Sequence, residues 1–286
     1  MVSPFTEKNP PKNGSYRDIV LTGFLEDHDR RIKEMNMFEM EKQSFLTLLP
    51  LFANMMPVPY VPSMIDVGGL HVKTPKKLPM DLQQLLDNAK EGVIYFSLGS
   101  NLKSALLPNE KRQILLNTFS KLKETVLWKW EDDTLPGKPA NVHIAKWLPQ
   151  QDVLAHPNLK LFITHGGLLS TTETIYHGVP ALAIPIAGDQ KLNARQMVNM
   201  GIGLTIGYQE ITEEALSNKI NQLLSNPNFL KNAKSRSDFY HDRLVSPLDT
   251  AIYWVEFALV SIFSSRCHCI DIGGDLICFV CLVLYY

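Results

Sequence analysis

Between residues 93 and 206, six short apolar runs alternate with segments of helical character. The runs are residues 93–98, 125–130, 142–145, 161–164, 181–184 and 203–206. Each is a nearly continuous set of large apolar residues, as in Val93-Ile94-Tyr95-Phe96, and not an alternation of apolar with polar. A strand of that pattern must be covered on both faces. The segments expected as helices, 110–122, 151–155, 168–177, 192–200, 213–224 and 228–240, carry helix punctuation. Asn109 and Thr212 stand where N-caps belong, and Gly178 and Gly201 stand just past C-terminal ends. Strands buried on both faces and joined by helices make a parallel sheet, the doubly wound α/β architecture. Such sheets bind ligands beyond the carboxyl ends of their strands.

The residues that follow the strands are therefore the candidates for chemistry. After the run 161–164 come His165-Gly166-Gly167 and then a helix. A strand that enters a helix through a Gly pair points free backbone N–H groups and the positive helix end at one spot, which suits phosphate. An ordinary βα turn has the same appearance, so the neighbours must decide. Gly99-Ser100 end the first run and offer a hydroxyl and flexible N–H groups. Trp147 and Gln150 follow the third run. An indole can stack on a base, and an amide can read its edge. Ser170 lies in the first turn of the helix after His165, and Glu173 lies farther along it, where a carboxylate can accept from two ribose hydroxyls. Asp189-Gln190 follow the fifth run, and an acid–amide pair suits a sugar with many hydroxyls. Taken singly, Trp147 reads equally as core, Glu173 as a solvated helix face and Asp189-Gln190 as a cap. Together they supply a base platform, a phosphate station, a ribose acceptor and a sugar clamp along one sheet edge.

The remaining segments are plainer. A strand is expected at residues 19–21 and a helix over 35–53. Five prolines between Pro57 and Pro79 bar a long helix and mark a linker. A last helix, 248–263 after Pro247, shows an apolar stripe of Ala251, Trp254, Val255 and Ala258. The domain boundaries expected are 1–56, linker 57–79, 80–246, docking helix 247–263 and an apolar tail 264–286. The tail's last run, 276–286, is shorter than the roughly 20 residues of a spanning helix. The first residues have neither the basic nor the apolar region of a signal peptide. Cys267, Cys269, Cys278 and Cys281 all lie in the tail. Their spacing admits zinc, but the apolar surroundings offer no turn for a metal knuckle, and no metal is expected. A net charge of −1 gives no basic footprint for nucleic acid. No G-x-G-x-x-G follows the first run, which argues against a dinucleotide enzyme.

The stretch from Trp147 to Gln190 resembles the donor-binding signature of the UDP-glycosyltransferases, W-x-P-Q…H-x-G…E…D-Q. Phe96-Ser97-Leu98-Gly99-Ser100, Trp128-Lys129-Trp130-Glu131-Asp132 and Asn193 also match. The wording is nearest to insect members, and the resemblance runs from about Val58 to Phe257. It implies the GT-B fold, with a complete C-terminal UDP-sugar domain and a fragment of the N-terminal Rossmann-like acceptor domain. The implied reaction moves a hexose or glucuronic acid from UDP-glucose or UDP-glucuronic acid to a hydroxyl of a small lipophilic acceptor, with inversion, as in detoxification. UDP-sugar is then a co-substrate, and no metal or other cofactor is implied. By motif position, Trp147 would stack on uracil and Gln150 would contact the nucleoside. Ser100 and His165 would meet the phosphates with help from Gly167 and Ser170. Glu173 would hold the ribose, and Asp189 and Gln190 the sugar. Leu169 departs from plant members, which carry Asn there.

The resemblance also implies gaps. The family's general-base His precedes the piece matched by residues 3–56, and its partner Asp belongs to a region missing between Met56 and Pro57. Past Phe257 the family's membrane helix and basic tail are replaced by the Cys-bearing sequence. No catalytic residue is therefore assigned, and a truncated member is expected. The family's place is the endoplasmic reticulum membrane, although this chain shows neither a signal peptide nor a convincing membrane helix. The alternative reading is a non-catalytic member that acts as a binding or oligomerisation partner, in homo- or hetero-oligomers with family members.

Overall fold

A computed structural model of the chain describes residues 44–49, 64–100, 102–263 and 279–282. The strand expected at 19–21 lies outside them, as do Cys267, Cys269 and Cys278. The chain divides into two compact units, the larger comprising His71–Leu244.

The larger unit is built on a six-stranded, wholly parallel sheet. In chain order its strands are β3 (Val93–Ser97), β4 (Thr125–Lys129), β5 (Val142–Ala145), β6 (Leu159–Thr164), β7 (Ala181–Ala183) and β8 (Gly203–Thr205). Their spatial order is β5-β4-β3-β6-β7-β8. The chain moves outward from β3 to one edge, returns to β6 beside β3, and then moves to the other edge. The order therefore reverses between β3 and β6, and a crevice opens there at the carboxyl ends. The register sets Ser97 opposite Thr164, so both strands end level at that point.

Both sheet faces are buried, which explains the continuous apolar runs. Ile94, Phe96, Trp128, Ile163 and Leu182 pack on one side with Phe119, Leu216 and Ile220. Val93, Tyr95, Leu127 and Phe162 pack on the other with Leu82, Leu86, Val153 and Leu154. Aromatic edges lock the first layer, with Phe119 and Trp128 at 5.6 Å and perpendicular.

The helices are α1 (Met80–Asp87), α2 (Asn109–Ser120), α3 (Gln150–Leu154), α4 (Leu168–His177), α5 (Gln190–Asn199), α6 (Glu213–Ser225) and α7 (Pro227–His241). The expected punctuation mostly holds. Gly178 closes α4 in the left-handed region at φ 63°, and Thr212 accepts from the N–H of Ala215 to cap α6. Asn109 is not a cap. Pro108 occupies that place, and the Asn109 Oδ1 accepts from Arg112 inside the first turn. Helix α1 has no counterpart among the expected elements, because eight residues with only Leu82 and Leu86 buried give a faint periodic signal.

The smaller unit includes a parallel three-stranded sheet in the order β2-β1-β9: β1 (Ser44–Leu49), β2 (Met64–Asp66) and β9 (Phe279–Leu282). It also carries α8 (Pro247–Phe263), as expected. The helix expected over 35–53 is corrected at Ser44–Leu49, which is the central strand. An apolar run of this length has no decisive period, and pairing on both edges overrides its helical propensity. Strand β2 falls in the stretch read as linker, and β9 falls in the apolar tail. Among the described residues no helix is long and apolar enough to cross a membrane.

Candidate functional site

The crevice between β3 and β6 is built from glycines. Beyond β6, Thr164 Oγ1 accepts from the N–H of Gly166 at 3.3 Å, and Gly166 turns at φ 81°. His165 then lies between two glycine positions. A Cβ on Gly99 would stand 2.5 Å from its Cε1, and one on Gly167 would stand 2.6 Å from its Nε2. A side chain at either place would displace the imidazole. Gly99 also needs its freedom for a φ of 84°. Gly167 occupies the N-cap of α4 and has no side chain to satisfy the first N–H groups, so these donors and the positive helix end face the crevice.

The electrostatics suit an anion. Lys129, only 8% exposed, donates to the carbonyl of Gly99 at 2.8 Å and pairs with Glu131 at 3.1 Å. Its ammonium also lies 5.8 Å from the centre of the Trp147 ring. Burial pushes the His165 pKa down. Asp189 opposes that shift and Lys129 adds to it. The imidazole is thus held neutral, and its Nδ1 is buried without a hydrogen-bond partner. A neutral ring beside helix N–H groups can hydrogen-bond phosphate oxygens without itself bringing charge.

A second cluster joins α3 to α4. Glu173 is 7% exposed, and its carboxylate is gripped by two amides. Gln150 Nε2 donates to Oε2 at 2.5 Å, and Gln151 Nε2 donates to Oε1 at 2.9 Å. Gln150 also donates to Ser170 Oγ at 3.0 Å and accepts from the Tyr95 hydroxyl at 3.3 Å. Burial raises the Glu173 pKa, while the hydrogen bonds from Gln150 and Gln151 lower it. Helix α4 tolerates burying so many polar residues because its hydroxyls bond backward. Thr171, Thr172 and Thr174 donate to the carbonyls of Gly167, Leu168 and Ser170. Trp147 stands three residues before Gln150 and is 73% exposed, so it is not a core residue.

A third group shapes the loop after β7. Asn193, buried, donates to the carbonyl of Gly166 at 3.0 Å and to Asp189 Oδ2 at 2.7 Å. It thereby ties the acid at the start of α5 to the His165 turn. Gln190 Oε1 accepts from the N–H groups of Ile186 and Ala187 at 2.8 and 3.0 Å, which fixes the loop and directs its amide nitrogen elsewhere.

The structure thus brings Gly167, His165 and the Gly99 turn together, with exposed Ser100 next in the chain. It joins Gln150, Ser170 and Glu173 by hydrogen bonds, and it links Asp189 to the His165 turn through Asn193. Ser170 is buried, and its hydroxyl accepts from Gln150 at 3.0 Å. Residue-type reasoning missed Lys129, Gln151 and His71. Lys129 had a signal, a charged residue ending a buried strand. The other two become visible only through contacts distant in sequence. Among the described residues no cluster of His, Cys, Asp or Glu has the makings of a metal site.

The chain is similar to known proteins. The family model described as UDP-glucoronosyl and UDP-glucosyl transferase matches residues 29–261. UDP-glycosyltransferase UGT5 of Dactylopius coccus is 43% identical over 225 residues, which cover 78% of this chain and 43% of that protein. A UDP-glucuronosyltransferase of Pleuronectes platessa is 38% identical over 207 residues, covering 71% and 43%. UDP-glucuronosyltransferase 2A3 of Homo sapiens is 36% identical over 204 residues, covering 71% and 38%. The chain spans less than half the length of these relatives. Among solved structures, the glycotransferase of kitacinnamycin aligns with a TM-score of 0.52 at 24% identity, over 65% of this chain and 46% of its own. Glycosyltransferase VinC, in complex with DTDP, aligns with a TM-score of 0.52 at 21% identity, over 64% and 44%. Both likenesses are likenesses of fold, and that fold is of the GT-B type.

Proposed function

This chain belongs to the UDP-glucuronosyl and UDP-glucosyl transferase family, and from that membership we propose that residues 80–246 are its UDP-sugar-binding domain. In this reading Trp147 carries the uracil and Gln150 contacts the nucleoside. Glu173 accepts the ribose hydroxyls. His165, the N–H groups after Gly167 and the Ser100 turn take the pyrophosphate, with Lys129 as a nearby positive charge. Asp189 and Gln190 hold the transferred sugar. UDP-sugar is the co-substrate, and no step of the proposal needs a metal. The observation that carries the reading is the hydrogen bond to the buried Glu173 carboxylate from Gln150, which stands three residues after the exposed Trp147.

The proposed reaction is transfer of glucose or glucuronic acid to a hydroxyl of a small lipophilic acceptor, by displacement with inversion. A base deprotonates the acceptor hydroxyl while the donor-site groups stabilise the leaving UDP. In this reading the base belongs to the acceptor side of the site and not to the donor residues. In this reading the protein works at the endoplasmic reticulum membrane. Titration of the intrinsic tryptophan fluorescence with UDP tests the binding reading. Saturable quenching that disappears in Trp147→Ala supports it. Quenching that is unchanged in Trp147→Ala removes the indole from the site.

A second reading, a non-catalytic member that pairs with family members, is favoured by Leu248, Tyr253 and Phe257, which are exposed on α8. Co-purification with a longer member, unchanged by UDP, is the outcome it requires.

A further inference from the structure

His71 enters the donor site from a stretch that reads as linker in the sequence. Its Nε2 lies 3.3 Å from the carbonyl oxygen of Leu169, in the first turn of α4, and 3.6 Å from Glu173 Oε1. Both neighbours accept and neither donates, so the proton of the ring sits on Nε2. Burial depresses the His71 pKa, partly offset by its bond to Leu169, which keeps the ring neutral and makes it a dipolar donor. The backbone around it is pinned as well. Gln151 Nε2 donates to the His71 carbonyl at 3.3 Å, and Gln151 Oε1 accepts from the N–H of Lys73 at 2.8 Å. The amide that holds the backbone of His71 is thus the one that holds Glu173 Oε1.

We infer that His71 is a positioning residue for the ribose acceptor: its Nε2–H donates to the Leu169 carbonyl in the first turn of α4, its dipole stands 3.6 Å from Glu173 Oε1, and the Gln151 amide ties its backbone to the same carboxylate. Gln150 fixes Oε2 and Gln151 fixes Oε1, with the His71 ring beside Oε1 and the backbone of His71 braced by the same Gln151, so the carboxylate is held against rotation. Each carboxylate oxygen has lone pairs beyond those the amides take, and these remain for the two adjacent hydroxyls of a ribose. Without His71 the carboxylate keeps its charge but loses one of its guides, and recognition of the diol should suffer more than nucleotide binding as a whole. The inference rests on the proposed reading of Glu173 as the ribose acceptor.

The test compares UDP with 2′-deoxy-UDP by calorimetry on the full chain. The wild-type protein, His71→Ala, His71→Phe (which keeps a ring in the same space) and His71→Gln (which restores an N–H donor) are measured alongside their melting temperatures. The wild-type chain is expected to prefer UDP by about tenfold or more, as loss of a hydrogen bond to a charged group implies. In His71→Ala or His71→Phe, whichever folds, the preference should fall to within about threefold, and His71→Gln should recover most of it. A structural defect would weaken both nucleotides alike and leave the ratio intact, so an unchanged ratio in the folded removal variants overturns the inference while the donor reading stands. A wild-type chain that binds both nucleotides equally overturns the ribose role of Glu173 and this inference with it. A folded wild-type chain that binds neither overturns the donor reading itself.

Discussion

At the scale of single residues, the site depends on a buried carboxylate and a confined imidazole, and each gives a distinct prediction. Glu173 must be ionised to accept two hydroxyls, yet burial raises its pKa. UDP affinity is therefore expected to fall as pH drops through the raised value and to level off above it. Gln151→Leu removes a bond that favours the charged form, so the acid limb should move to higher pH. Glu173→Gln should weaken UDP by about 10- to 100-fold, the worth of one or two hydrogen bonds to a charged group. For the imidazole, Gly167→Ala and Gly99→Ala separate steric from backbone effects. Gly167 has an ordinary φ of −62°, so an alanine there displaces His165 with little strain and should cost affinity with only a small loss of melting temperature. Gly99 sits at φ 84°, so an alanine there should cost affinity and also about 1–2 kcal/mol of stability. Trp147, Glu173 and Asp189 were legible in the sequence because strand–helix order fixes which residues follow a strand end. Their partners were less so. Asn193 stands at a recognisable i, i+4 spacing from Asp189, whereas His71 reaches Glu173 only through folding of a segment about a hundred residues away.

At the scale of elements, helix ends carry stability that the site does not share. Gly178 closes α4 in the left-handed region, and an added Cβ would meet the carbonyl oxygen of Ala233 at 3.1 Å. Gly178→Ala should cost about 1–2 kcal/mol, and Thr212→Ala about 1 kcal/mol through loss of its cap bond. Thermal melts should show both losses, while UDP affinity stays within about twofold, since neither residue faces the crevice. The six strands of the larger sheet were readable because burial on both faces makes each a continuous apolar run. Strand β1 was not, since its partners are β2 and β9, and the second of these is supplied by the far end of the chain. A pairing of that kind leaves no trace in local periodicity.

At the scale of the whole molecule, the reversal of strand order between β3 and β6 is the reason the separate motifs meet. That order could not be read from the apolar runs alone, although the doubly wound class could. Acid stability should also register burial. His177, packed against Tyr176 and near His241 and Lys234, has its pKa lowered from 6.5 to about 4, chiefly by burial. The unfolded chain therefore binds more protons in that window, so His177 destabilises the fold as pH falls from about 6.5 to about 4. Glu173 acts in the opposite sense, since its raised pKa makes the folded state the stronger proton binder above the ordinary glutamate value. Melting temperature measured against pH should decline less steeply in His177→Phe than in the wild-type chain. The central claim, that the β3–β6 crevice holds UDP, is met most directly by calorimetric titration of the folded full chain with UDP. The account predicts saturable binding near one equivalent that Glu173→Gln weakens by about 10- to 100-fold. A folded chain that gives no heat, or one whose binding is unchanged by Glu173→Gln, would contradict it.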